Sequence, residues 1–224
     1  SDLDSGKKFI NTNKNVIFKN DHTLRDLTEV NNSTSGTITL NNKTVKMTGV
    51  AAQIKDALNG INDYKGVLEV SDNKNTNIAS GLIQSLVNKT NQDVIVANQI
   101  NIQGTSQNVS NLITNIVNTG NVKIELSDPH DLPQLKTISS NTQGEITLNK
   151  NDVSLVGSAT DINTAVSGNL SAKYNGNITI NDNKDVTIEA STIISIGQKT
   201  VKIPTLSNEV KIKGNSDLVS NALD

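Results

Sequence analysis

Short stretches in which apolar and polar residues alternate recur along the chain: Ile38-Thr-Leu40, Leu68-Glu-Val70, Ile124-Glu-Leu126, Ile146-Thr-Leu148 and Ile178-Thr-Ile180. A period of two predicts strands that bury one face only. Elsewhere the period lengthens. Ile54, Ala57, Leu58 and Ile61 are spaced three and four apart, which predicts a short helix after Gly49. This strand–Gly–helix signature occurs four times. Val45-Lys-Met-Thr-Gly49 leads into Ile54, Ala57 and Leu58, and Ile100-Asn-Ile-Gln-Gly104 leads into Val109, Leu112 and Ile113. Val153-Ser-Leu-Val-Gly157 leads into Ile162, Ala165 and Val166, and Val210-Lys-Ile-Lys-Gly214 into Leu218, Val219, Ala222 and Leu223. The four glycines are 55, 53 and 57 residues apart.

Two further landmarks share that period. The strands Leu68–Val70, Ile124–Leu126 and Ile178–Ile180 each close on an aspartate two residues later: Asp72, Asp128 and Asp182. In the first unit the same alternation, Val16-Ile-Phe18-Lys-Asn20, puts Asn20 in the aspartate position. Leu24, Leu27 and Val30 before Gly36 return as Leu132, Leu135 and Ile138 before Gly144. Each unit of about 54 residues thus reads as strand, Asp turn, short helical or irregular stretch, strand, tight Asn/Lys turn, strand, Gly, helix. A unit with one-sided strands cannot close a core alone, so neighbours must stack. The expected fold is mainly β: a repeat solenoid of short parallel strands with short helices along one side. Its four units cover about 15–65, 66–119, 120–174 and 175–224. Residues 1–14 form a lead-in or the end of a preceding unit, and both ends read as cuts through a longer polypeptide.

Composition narrows the chemistry. The chain of 224 residues has no Cys, which excludes disulfide scaffolds, thiol nucleophiles and Cys-ligated metals. A net charge of −2 argues against a phosphate-binding surface, and two Tyr, two Phe and no Trp argue against base stacking. No nucleic-acid partner is expected. No apolar run approaches the roughly 20 residues that span a bilayer, so this segment is not expected to insert into a membrane. Ile and Val contribute 43 residues, which separates the chain from disordered sequences despite its 34 Asn.

The hxhxG strand followed by a small-residue helix of the Ala-x-x-Ile-x-x-Ala-Leu kind covers Gly49 to Leu58, Gly157 to Val166 and Gly214 to Leu223. With the Ser-Asp pairs ending at Asp72 and Asp128, it resembles the repeat regions of large bacterial cell-surface proteins, the S-layer proteins and giant adhesins exported by type I secretion. The resemblance runs from about residue 15 to the end. It implies a secreted, extracellular structural role at the bacterial cell surface, often with calcium dependence. The Gly-Gly-x-Gly-x-Asp nonapeptide that builds calcium-filled β-rolls in related proteins is absent from this sequence.

Asp72, Asp128 and Asp182 are the candidate metal ligands. Stacked layers would bring equivalent carboxylates together, where they can share a hard cation such as calcium, with Asn73, Asn183 and Asp185 adding oxygens. The competing expectation is that each makes an Asx turn or caps the following segment. Asp128-Pro-His-Asp131 clusters a histidine with carboxylates, a pattern open to weak metal binding or acid–base chemistry. Its Asp-Pro start favours a solvated turn, and His22 beside Asp21 reads the same way. An enzyme is not expected. Arg25 is the one arginine, and no Gly-x-Ser-x-Gly elbow, phosphate loop or His-Glu-x-x-His occurs. Asn-x-Ser/Thr sequons stand at Asn31, Asn32, Asn42, Asn88, Asn108, Asn169 and Asn177, as composition alone produces. The expected function is a structural module of a bacterial surface layer, self-associating into a rigid array through lateral contacts and stabilised by calcium. The alternative is the stalk of a large adhesin.

Overall fold

The computed structural model describes residues 13–223, so most of the lead-in expected over 1–14 lies outside the described residues. Among them, fifteen strands alternate with eight helices. In chain order the strands are β1 Val16–Phe18, β2 Ile38–Leu40, β3 Met47–Gly49, β4 Leu68–Val70, β5 Asn77–Ala79, β6 Val94–Val96, β7 Asn101–Gly104 and β8 Val117–Asn118. They continue with β9 Lys123–Leu126, β10 Ile146–Leu148, β11 Leu155–Gly157, β12 Ile178–Ile180, β13 Thr187–Glu189, β14 Thr205–Leu206 and β15 Lys211–Lys213. The helices are α1 Leu24–Asn31, α2 Ala51–Ala57, α3 Ser80–Val87, α4 Ser106–Ile113, α5 Leu132–Asn141, α6 Ala159–Val166, α7 Ala190–Lys199 and α8 Ser216–Leu223.

The expectation of a mainly β solenoid is overturned. The fold is α/β, 32% helical and 24% strand, with its strands in several small parallel sheets. Strands are only two to four residues long whereas helices run seven to ten, so helix outweighs strand although strands are more numerous. The ladders are also interrupted. β2 pairs back to β1 while β3, six residues on, pairs forward to β4. β10 and β11 divide in the same way, towards β9 and β12.

The chain forms two compact units, residues 1–100 with 115–120, and 101–114 with 121–224. In the first, the four-stranded sheet runs β3-β4-β6-β8, with Met47 beside Leu68 and Leu68 beside Val94. Every pair is parallel, and the apolar residues of each strand stand in register over those of the next. Helices α1, α2 and α3 pack in succession. The core between sheet and helices holds Leu27, Ile54, Leu58, Leu68, Val70, Ile83 and Leu86, all fully buried. In the second unit β10-β9-β7 places Ile146, Ile124 and Ile102 side by side, and β11-β12-β14 and β13-β15 continue the pattern. Helices α4 to α8 follow one another there.

Alternate helices are started by different means, and the scheme recurs about 108–110 residues later. α1 and α5 open with capping boxes, Thr23 with Asp26 and Asp131 with Gln134. α3 and α7 follow directly on β5 and β13, and their N-caps Ala79 and Glu189 make no side-chain bond. That absence of a start signal, with Gly81 in one helix and Ile193, Ile194 and Ile196 in the other, gives these two segments no legible helical pattern in sequence.

Candidate functional site

The three candidate aspartates occupy one repeated piece of geometry. Each strand that ends on Gly49, Gly104 or Gly157 pairs with the strand that leads to Asp72, Asp128 or Asp182. The residue before the aspartate donates its N–H to the glycine carbonyl: Ser71 to Gly49, Ser127 to Gly104 and Asn181 to Gly157, all at 2.9 Å. The aspartate itself then accepts the first N–H of the helix that follows the glycine. Asp72 Oδ2 takes Ala51 N, Asp128 Oδ1 takes Ser106 N and Asp182 Oδ2 takes Ala159 N, each at 2.7 Å. The glycine and aspartate landmarks are two halves of one device. It links successive chain turns and places a carboxylate at the positive end of α2, α4 or α6.

The structure thus brings each aspartate to a separate helix terminus. Among the described residues, no group of three or more His, Asp or Glu side chains converges to hold a metal ion. Calcium takes six to eight oxygens, and each of these carboxylates has one oxygen already committed to a backbone N–H. Within one chain the set does not fit an oxygen cage. Replacing Asp128 by Ala removes one bond from the α4 terminus and is expected to cost about 0.5–2 kcal/mol. A urea titration checks this, and the loss is expected to be the same in calcium and in EDTA.

Asp131 is the N-cap of α5 and accepts from Gln134 N at 2.8 Å. The adjacent histidine is not in a solvated turn. His130 is 4% exposed and His22 is 3% exposed, which corrects the reading of both loops. His130 Nε2 lies 2.9 Å from the Tyr174 hydroxyl, which donates to the Val153 carbonyl at 2.8 Å. His22 Nε2 lies 3.4 Å from the Tyr64 hydroxyl, which donates in turn to the Val45 carbonyl. Because each hydroxyl gives its proton to a carbonyl, its oxygen accepts from His Nε2–H. Nδ1 is left bare, and in both histidines it is buried without a partner.

Burial holds both histidines below their usual pKa of 6.5, against the pull of Asp21 and Asp26 on His22 and of Asp131 and Asp128 on His130. Burial pushes Tyr64 up to about 12 and raises Tyr174 as well. Neutral imidazole and neutral phenol bonded to a main-chain carbonyl make a fastening, not an acid–base couple. Sequence reasoning missed it, although the signal was there. The chain's two histidines and two tyrosines stand 42 residues apart in one copy and 44 in the other.

No protein-family model matches the chain, and neither a curated protein nor a solved structure is found to match it. Among the described residues no helix is long and apolar enough to cross a membrane.

Proposed function

We propose that this chain is a structural module of a bacterial surface layer, an extracellular array element that associates laterally with copies of itself. The observation that supports the reading best is how its surface charges are arranged. Lys46 pairs with Glu69 in the first unit. In the second, Lys136 pairs with Asp161, Lys184 with Glu209 at 3.1 Å, Lys213 with Glu189 at 3.4 Å and Lys211 with Asp185 at 3.7 Å. Each pair joins one chain turn to another. Exposed pairs of this kind add little stability. Their consequence is a flank with its charge neutralised locally, which lets like surfaces approach where an unpaired charge row would repel. Localisation at the bacterial surface rests on the resemblance to S-layer and adhesin repeats.

Calcium stabilisation belongs to the same proposal, and the helix-capping aspartates support it least. Melts followed by circular dichroism in excess EDTA and in millimolar calcium are expected to coincide if those carboxylates act only as caps. A rise of several degrees in calcium would restore them as cation sites, formed within the chain or between copies. Electron microscopy of concentrated protein tests the array itself. Two-dimensional sheets support the layer reading. Protein that forms no sheet at high concentration overturns it in favour of an adhesin stalk.

A further inference from the structure

The Gly–Asp device is complete three times, and the described residues also hold its two halves separately. At one end, β15 leads to Gly214 and then to α8, but no strand pairs with β15 on the side away from β13. At the other end, β1 pairs with β2 alone and leads through Lys19 to Asn20, the residue in the aspartate position. We propose that these halves join between two copies of the chain. The β15–α8 end of one copy docks head to tail onto β1 and α1 of the next.

The three complete devices supply the register. Gly49 stands beside Val70, Gly104 beside Leu126 and Gly157 beside Ile180. The residues two positions earlier pair as Met47 with Leu68, Ile102 with Ile124 and Leu155 with Ile178. The same rule puts Gly214 beside Phe18 and Ile212 beside Val16 of the second copy. Lys19 N–H then meets the Gly214 carbonyl, and the Asn20 side-chain carbonyl receives Ser216 N–H, as Asp128 receives Ser106 N–H at 2.7 Å. Helix α1 follows β1 as α5 follows β9, so it would cover α8 as α5 covers α4.

Burial agrees with this assignment. In α4, Val109, Leu112 and Ile113 are at most 3% exposed. α8, its counterpart after Gly214, has no buried residue, and Leu223 is 67% exposed. On the receiving strand Ile17 is 60% exposed. It takes the place that Glu125 holds opposite Gln103, whose amide donates to it at 2.6 Å. Lys213 would stand opposite Ile17 across the new contact. The interface is heterologous, so it builds open chains of copies and does not close on a dimer.

This inference extends the self-association proposed above, yet it rests on the repeat and not on lateral contacts. Sedimentation velocity over a concentration series tests it. The unaltered protein is expected to pass beyond dimer as concentration rises. Leu223→Lys disables one end and Ile17→Lys the other; both sites are exposed, and circular dichroism melts verify that the variants fold. Each variant alone is expected to be monomeric, and their equimolar mixture to stop at dimer. Ile17→Glu, facing Lys213, is expected to associate about two- to fivefold more tightly. A protein that stays monomeric throughout overturns the proposal. So does a single variant that still dimerises, which indicates a symmetric face, or a mixture that stays monomeric. Electron microscopy separates the two readings. Sheets that persist in the end variants leave only lateral association, whereas single-file filaments leave only the end contact.

Discussion

Gly176→Ala is expected to cost about 3 kcal/mol or more and to lower the Tm by roughly 6–12 °C. A Cβ at this position would lie 1.7 Å from the Val153 carbonyl oxygen and 2.7 Å from the Tyr174 ring. Neither neighbour can yield. The Val153 carbonyl already accepts the Tyr174 hydroxyl. The backbone on either side is fixed by Leu155 N to Asn177 O at 2.8 Å and Asn175 N to Asn151 O at 2.9 Å. The whole chain turn would have to move away from its neighbour. Gly66 is the counterpart in the first unit, where a Cβ would lie 2.1 Å from the Val45 carbonyl oxygen. The same change at Gly197 is expected to act in the opposite direction. It lies in α7 with nothing within 4 Å of its added Cβ, so Ala there gains about 0.5–1 kcal/mol of helix preference. Thermal melts of the two variants check both the sign and the size. If Gly176→Ala melted like the parent, the close approach would not be holding this turn together.

Much of the local structure was legible because it follows from short-range rules. The alternating triplets at Ile38, Leu68, Ile124, Ile146 and Ile178 are strands, and a helix follows each of Gly49, Gly104, Gly157 and Gly214. The balance of helix and strand was not legible. α3 and α7 lack side-chain caps, and the β-branched run Ile193-Ile194 in α7 favours strand as an isolated segment. They are helices because the turns before and after them present helices to pack against, which is a tertiary effect. Interruption of the ladders at β2–β3 and β10–β11 was equally hidden. It depends on which earlier strand each segment meets, and alternation carries no record of partner.

At the candidate site the residues were visible while their relation was not. Asp72, Asp128 and Asp182 stand out by period, and so do the glycines 23, 24 and 25 residues before them. Only the fold shows that an aspartate serves the helix after the earlier glycine and not the segment after itself. His130 misled for a similar reason. Asp-Pro-His-Asp is polar locally, and nothing nearby announces that the ring is covered by Tyr174 from a later turn, with ring centroids 5.7 Å apart.

That covering gives the second large expected effect. Tyr174→Phe removes one hydroxyl but strands two buried groups, His130 Nε2–H and the Val153 carbonyl. The expected loss is about 2–4 kcal/mol. Acid acts on the same fastening. The folded state holds both histidines below 6.5, whereas the unfolded chain titrates near that value, so the unfolded chain takes up the protons first as pH falls. Their contribution is complete above pH 6.5 and is lost on acidification towards the depressed folded values. The slope approaches about 1.4 kcal/mol per pH unit for each histidine. Urea titrations at pH 7.5, 6.5 and 5.5 are expected to show this fall before most carboxylates protonate. His130→Gln, whose amide can still donate to Tyr174, is expected to halve the slope. A stability profile that is level from pH 7.5 to 5.5 would count against burial of the neutral rings. Protonation of either ring places a proton on Nδ1, which meets no acceptor where it is buried. The steepness of the loss therefore reports how completely each histidine is enclosed.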